Sequence, residues 1–396
     1  MLVVAADFFL MSNPLLFVVN FDAALRLATL ITVAAVVLTF PWVRTPRVAW
    51  PVLVYLGWAL ASYTWSIQPD YTSDAWVQSA VVASVAVLVY TNVSARVLVT
   101  GFVLGGVAVS VASLYTFHDR LPGAYYETQF GPAIAGIGTN KNILAYTLTL
   151  SLCAVLAAVP RAGWARVAWL GSVGIIGYVL AETNSSTGDL TAEILMTTAA
   201  LLVSFRPVTG RLLTTTPRRV AAGIAAAAAV SIAYVFVKEA LGEDLLTFSD
   251  RTPFWSATLA VAQDRPFTGF GWGAVWPHPW KPSAPNGVIA EIHERSGLPL
   301  THGHNSAIDL LVEVGLIGVL LMIVLMVTVG SRSFVVMRAR GEDRIDDRIM
   351  ARFIVLCLVD LAVFGITEPM ATIPLGWWAL VLLAEPVRPS RSIRGR

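Results

Sequence analysis

Apolar runs close to the length of a bilayer crossing recur along this chain, and no other feature limits its fold so tightly. A membrane helix needs about 17–25 such residues, because in lipid its backbone must satisfy its own hydrogen bonds. Twelve spans read out this way: Leu2–Val19, Ala24–Phe40, Ala49–Ser66, Trp76–Tyr90, Val97–Phe117, Asn140–Val159, Ala165–Ala181, Asp189–Phe205, Val220–Val237, Asn305–Gly330, Ala351–Thr367 and Ala371–Glu385. Only 13% of the 396 residues are charged and 56% are hydrophobic, where a soluble protein carries about 25% charged residues. The chain reads as a single all-α, polytopic integral membrane domain, residues 1–396. Leu2 to Asn20 lacks a basic start and a cleavage site, so it reads as a first span, interrupted by Asp7, Ser12, Asn13 and Pro14.

Arginines set the orientation. Arg44 and Arg47, Arg96, Arg161 and Arg166, the cluster Arg206 to Arg219, the cluster Arg332 to Arg348, and the tail arginines occupy every second loop. Those loops are expected in the cytoplasm, with both termini. The long loop between spans nine and ten, residues 238–304, then faces outward. Trp42, Trp50, Trp65, Trp76, Trp164, Trp377 and Trp378 fall near expected interfaces, where amphipathic rings sit. Cys153 and Cys357 lie in apolar runs and read as small packing residues, not as a disulfide or metal pair. A net charge of +2 by itself says nothing of nucleic acid, and no nucleic-acid partner is expected.

The long loop holds four of the five histidines: His278, His293, His302 and His304. A connection of roughly 65 residues is far longer than usual and marks a place for a site. His304 stands at the start of the tenth span, where a neutral imidazole can accept a proton and a helix N-terminus attracts phosphate. Asn305, Asp309 and Glu313 follow at steps of four and share one helical face. A carboxylate as deep as Glu313 needs a cavity or a partner. The plainer alternative makes His304 and Asn305 helix caps and pairs Glu313 with an arginine or the backbone.

Arg251 precedes Thr252-Pro253, a helix start with Thr as cap. Its guanidinium can take a phosphate through two parallel bonds, or form an ion pair with Asp250 or Asp264. Lys141, in Asn140-Lys141-Asn142, either meets an anion or snorkels to the interface. Gly269-Phe270-Gly271-Trp272-Gly273 has no strand before it and no Gly-Lys-Ser/Thr after it, so tight turns and close backbone approach explain its glycines. His302 and His304 with His293, Glu291 and Glu294 offer zinc ligands, but their spacing matches no standard zinc pattern. No metal and no cofactor is expected.

In order and spacing these motifs resemble the O-antigen ligase and polymerase superfamily of bacterial membrane glycosyltransferases (Wzy/WaaL type). Asn140-Lys141-Asn142 matches its N-K-N start of a middle span. Asp250-Arg251-Thr252-Pro253-Phe254-Trp255 matches its G-R-x-x-x-W segment with Asp for Gly. Pro266-Phe267-Thr268-Gly269-Phe270-Gly271 matches P-x-x-G-x-G, and His304-Asn305 through Gly315 and Gly318 matches the segment that closes the large loop. The likeness covers Gly138 to Glu385. It implies a GT-C-like fold and metal-independent transfer of a glycan from undecaprenyl diphosphate to a glycan or glycolipid acceptor, at the outer face of the bacterial cytoplasmic (inner) membrane. His304 would then be the base and Arg251 the stabiliser of the leaving diphosphate. Lys141, His302, Asn305, Asp309, Glu313 and Trp272 would contact substrate. One departure stands out. The family's serine-arginine-glycine segment falls at Thr183 to Gly188, which has no arginine; Lys141, Arg120 or Arg265 is left to supply that charge.

The main rival is a transporter of an anion or glycan, which calls for polar groups at mid-membrane on broken helices. A peptidoglycan-polymerase-like enzyme, relying on a loop carboxylate, is a further alternative. Trp272, Trp276 and Trp280 fit sugar stacking and fit packing equally well.

Overall fold

The computed structural model describes residues 1–12, 21–39, 44–128, 131–138, 140–160, 163–204, 251–277, 286–338 and 345–384. Its helices are α1 (Leu2–Met11), α2 (Phe21–Thr39), α3 (Trp50–Ala61), α4 (Pro69–Asn92), α5 (Ala95–His118), α6 (Lys141–Ala157), α7 (Trp164–Glu182), α8 (Ser186–Ser204), α9 (Arg251–Ala262), α10 (Gly287–Ser296), α11 (Ser306–Arg338), α12 (Ile345–Phe364) and α13 (Pro374–Ala384). One antiparallel hairpin, β1 (Tyr125–Thr128) with β2 (Gly131–Ile134), interrupts this pattern between α5 and α6. Helices overlap every expected span except Val220–Val237, which lies outside the described residues, as do residues 13–19 of the first span, residues 238–250 of the long loop, His278 and Trp280. Asp22–Thr39, Pro69–Asn92, Ala95–His118, Trp164–Glu182 and Ser306–Ser333 are long and apolar enough to cross a membrane; α1, α6 and α13 are apolar but shorter. The chain is a multi-pass helical membrane protein.

In lipid, apolar side chains gain little by meeting one another, so close backbone approach and interhelical hydrogen bonds hold such a bundle together. Gly101 and Gly105 of α5 let α1 come close: a Cβ on the first would collide with Val4, and on the second with Phe8 at 2.7 Å. Asp7 does not interrupt α1. It is fully buried and accepts the Thr32 hydroxyl of α2 at 2.8 Å. The centre of the bundle is α6 and α13, and α13 is buried at every residue. Cys153 and Cys357 are buried free thiols that meet across the α6–α12 contact.

The longest helix, α11, is broken at Gly315, whose φ is 69° and ψ −176°. Such a break strands backbone groups, and here the segment Pro266–Gly271 covers them. Phe270 and Gly271 donate their N–H groups to the carbonyls of Val312 and Glu313 at 2.9 and 2.8 Å, while Leu316 donates to Pro266 at 2.8 Å. Trp58 Nε1 donates to the Val314 carbonyl at 2.9 Å. A Cβ on Gly269 would strike the Glu313 backbone, and one on Gly315 the Phe267 backbone. The glycine-rich segment is thus a joint that seals a broken helix.

Candidate active site

The first turns of α6, α8 and α11 and Arg251 of α9 meet at one end of the bundle, around the connection from α12 to α13. Cross-bonds fix them there. Ser185 Oγ donates to Asn142 Oδ1 at 2.9 Å, and Thr367 Oγ1 to Thr187 Oγ1 at 3.1 Å. Arg251 donates to the Thr367 carbonyl at 2.6 Å and Asn305 Nδ2 to that of Ile366 at 3.0 Å. Ser306 donates its N–H to the Gly365 carbonyl at 2.8 Å and its hydroxyl to the Glu368 carbonyl at 2.9 Å.

Glu368 is the hub. Its side chain is 3% exposed, and a buried carboxylate stays charged only with partners. It has several. His304 Nδ1 lies 3.0 Å from each of its oxygens. Asn142 Nδ2 donates to Oε1 at 2.7 Å. The Arg251 guanidinium is 3.5 Å from Oε1, and His302 Nε2 4.0 Å from Oε2. Burial pushes the Glu368 carboxyl up, but the His304 hydrogen bond and the charges of His304, His302 and Arg251 outweigh it. The net effect holds the group below the ordinary glutamate value of 4.5.

The two histidines differ. His302 Nδ1 accepts the backbone N–H of His304 at 3.1 Å, and its Nε2 faces Glu368. Its Nδ1 is taken up by that bond, while Nε2 stands at ion-pair distance from the carboxylate. His304 spends only Nδ1 on Glu368, and among the described residues no bond is made to its Nε2. His304 sits in the left-handed region at φ 49°, a conformation costing a non-glycine residue about 1–2 kcal/mol. That backbone turn, between Gly303 and the helix, aims the ring at Glu368.

Of the residues marked from the sequence, His304, His302, Arg251, Asn305 and Asp309 come together here. Their roles sharpen. Asn305 Oδ1 caps α11 by accepting the N–H groups of Ala307 and Ile308 at 3.0 and 3.1 Å. Asp309 is buried and accepts the Gly303 N–H at 2.6 Å, pinning the turn that carries His304. Among the described residues Arg251 pairs with Glu368 and not with Asp264, and Thr252 lies inside α9 rather than capping it. Lys141 donates to the Asn184 carbonyl at 2.9 Å, beside the Ser185–Asn142 bond, where the family's arginine segment falls. Arg265 works elsewhere: it donates to the Trp65 carbonyl and lies over Phe270, 5.1 Å from the ring centre. Trp276 is a core residue at 1% exposure, so it stacks on no sugar here.

Glu313 and Trp272 stand apart from the histidines. They line a small cavity of about 40 Å³ with Gln78, Ser79 and Trp377. That is room for a few water molecules. The sequence reading missed Glu368 and Asn142 as site residues. The available signal was a lone carboxylate, Thr367-Glu368-Pro369, between two apolar runs.

Donor atoms of His302, His304 and Glu368 lie within 4.8 Å of one another, close enough to surround a metal ion. The bonding argues against that use. Glu368 already carries the Arg251 guanidinium and the Asn142 amide, so an added cation would face a fixed positive charge.

Fold and site define a multi-pass membrane protein with a buried carboxylate–imidazole–guanidinium cluster at one end of its bundle. A family model described as O-antigen ligase matches residues 146–323. The chain is 27% identical over 288 residues to the exopolysaccharide production protein ExoQ of Rhizobium meliloti (strain 1021), covering 70% of this chain and 63% of that protein. The chain thus matches less than two thirds of that relative's length. Both findings support the O-antigen ligase/polymerase superfamily, the one the motifs resemble. The family match takes in Arg251, His304 and the Gly315 joint, and leaves Lys141, Asn142 and Glu368 outside.

Proposed function

We propose that this protein transfers or polymerises a polyprenyl-diphosphate-linked glycan onto a sugar acceptor at the outer face of the bacterial cytoplasmic membrane. The topology that goes with it is about twelve transmembrane helices in a GT-C-like arrangement, both termini cytoplasmic, the loop 238–304 outside. One observation carries the reading: Arg251 and the N-terminal ends of α6 and α11 come together through Glu368 at an imidazole whose Nε2 makes no bond among the described residues, with Lys141 bonded to Asn184 at the neighbouring start of α8. Helix N-termini and guanidinium groups favour phosphate, and the imidazole supplies a base.

His304 takes the proton of the acceptor hydroxyl on Nε2. The acceptor oxygen attacks the anomeric carbon, and the bond to the diphosphate breaks with its electron pair on the leaving oxygen. Arg251 and Lys141 stabilise that charge, Lys141 standing in for the arginine absent at Thr183 to Gly188. With two fixed cations at the leaving group, no metal is required.

The broken helix α11, with Glu313 beside the break, is the feature that favours transport instead. In a transporter the groups freed at such a break meet the cargo. Here the carbonyls of Val312, Glu313 and Val314 are taken by Phe270, Gly271 and Trp58, so the break serves the fold.

The test is a reconstituted assay with extracted polyprenyl-diphosphate glycan. Lengthened or transferred glycan supports the reading, and a free glycan acceptor against a glycolipid acceptor separates polymerase from ligase. Donor left intact, with protein-dependent flux of glycan or anion into vesicles, would overturn it.

A further inference from the structure

We infer that Glu368 is a positioning residue for this transfer, holding His304 by Nδ1 so that Nε2 alone is presented to the acceptor hydroxyl. The inference rests on the reaction proposed above and concerns a residue outside the matched stretch 146–323.

Three observations carry it. First, the His304–Glu368 contact is symmetric, Nδ1 being 3.0 Å from both carboxylate oxygens. A ring held that way has a defined plane and a defined tautomer, with the proton on Nδ1 and the lone pair on Nε2. Second, Glu368 is itself anchored from separate helices. Asn142 of α6 donates to Oε1 at 2.7 Å, Arg251 of α9 lies 3.5 Å away, and Ser306 of α11 holds its backbone carbonyl at 2.9 Å. A carboxylate so fixed orients its partner. Third, exposure separates the roles. The Glu368 side chain is 3% exposed and that of His304 16%, so the imidazole is the group an acceptor can reach.

The proton balance follows. As the acceptor oxygen bonds to the anomeric carbon, its proton moves to Nε2 and His304 becomes an imidazolium. Its charge then sits against the Glu368 carboxylate, which remains ionised throughout. Nε2 afterwards returns the proton to the released diphosphate or to water. The other charged or titratable groups facing Glu368 are His302, from the same turn as His304, Arg251 of α9, and Asp309 of α11. None of them replaces the bond to Nδ1.

The experiment compares wild type, Glu368→Gln and Glu368→Asp as full-length purified protein, with extracted polyprenyl-diphosphate glycan as donor and kcat and KM followed against pH. For Glu368→Gln the expected kcat falls by about 10²- to 10⁴-fold, the range for losing an oriented base, with donor KM within about threefold. Without the negative charge the imidazolium is less stable, so the acid limb of the kcat profile moves to lower pH. A residue that only braces the fold would not move that limb. Glu368→Asp keeps the charge, so its limb stays near the wild-type position and its rate exceeds that of Glu368→Gln. An unmoved limb in Glu368→Gln, or a Glu368→Asp no faster than it, overturns the inference. Should Glu368→Gln fail to fold, Glu368→Asp decides alone: a displaced limb overturns the inference and an undisplaced one supports it. An inactive wild type sinks the proposed reaction itself; an active wild type with an indifferent Glu368→Gln sinks only this role.

Discussion

His304 and Glu368 meet across 64 residues of sequence, Nδ1 standing 3.0 Å from both carboxylate oxygens. The contact ties the end of the long loop to the connection between α12 and α13. The site therefore exists only when α11 and α12 are packed together, and perturbing either side should be felt at both.

Acid should expose that dependence. The Glu368 carboxyl is held below 4.5 in the folded protein, its burial outweighed by His304, His302 and Arg251. A group with a lowered folded value binds fewer protons folded than unfolded, so its contribution is full above the ordinary value and is lost as pH falls below it. Thermal unfolding in detergent, followed downward from pH 6, should show wild type losing stability more steeply below about pH 4.5 than Glu368→Gln. Parallel curves for the two would contradict this.

Arg251 bonds the Thr367 carbonyl and approaches Glu368 with different nitrogens of one fork. Lysine offers a point charge and no fork. Arg251→Lys should lower kcat/KM for the donor about tenfold and Arg251→Ala about a hundredfold or more. Equal activity of Arg251→Lys and wild type would mean that the fork is not used.

The joint in α11 yields a stability test. At Gly315 a Cβ meets the Phe267 backbone, and φ is 69°. Gly315→Ala should cost at least about 2 kcal/mol, read as a lowered Tm or as loss of folded protein. Gly171, in α7, has nothing within 4 Å of a Cβ, and Gly171→Ala should stay within about 1 kcal/mol of wild type. Similar behaviour of the two variants would remove the joint from the account.

The helices were legible because a bilayer permits few alternatives: apolar runs alone mark α2, α4, α5 and α7. His304, Arg251 and Asn305 were legible too, as polar residues at helix starts. Glu368 was not. Its importance lies in which helix ends meet, and periodicity along one chain carries no information on that. Asp309 and Trp276 looked like ligand groups for a related reason, since sequence does not reveal that the Gly303 N–H and the protein core claim them. Asp7 looked like an interruption because its partner, Thr32, comes from another helix.

Lys141 reaches the segment that lacks an arginine through its bond to Asn184. If it holds the diphosphate, Lys141→Met should raise donor KM about tenfold with a smaller change in kcat, and Lys141→Arg should recover most of the loss. A Lys141→Met protein with unchanged KM would return Lys141 to the interface.

The most direct measurement is release of polyprenyl diphosphate in a single turnover, wild type beside His304→Ala, with chelator present throughout. The account predicts release by wild type undiminished by chelator, and a rate at least about a hundredfold lower in a folded His304→Ala. Wild-type release abolished by chelator, or a His304→Ala protein as fast as wild type, would contradict it.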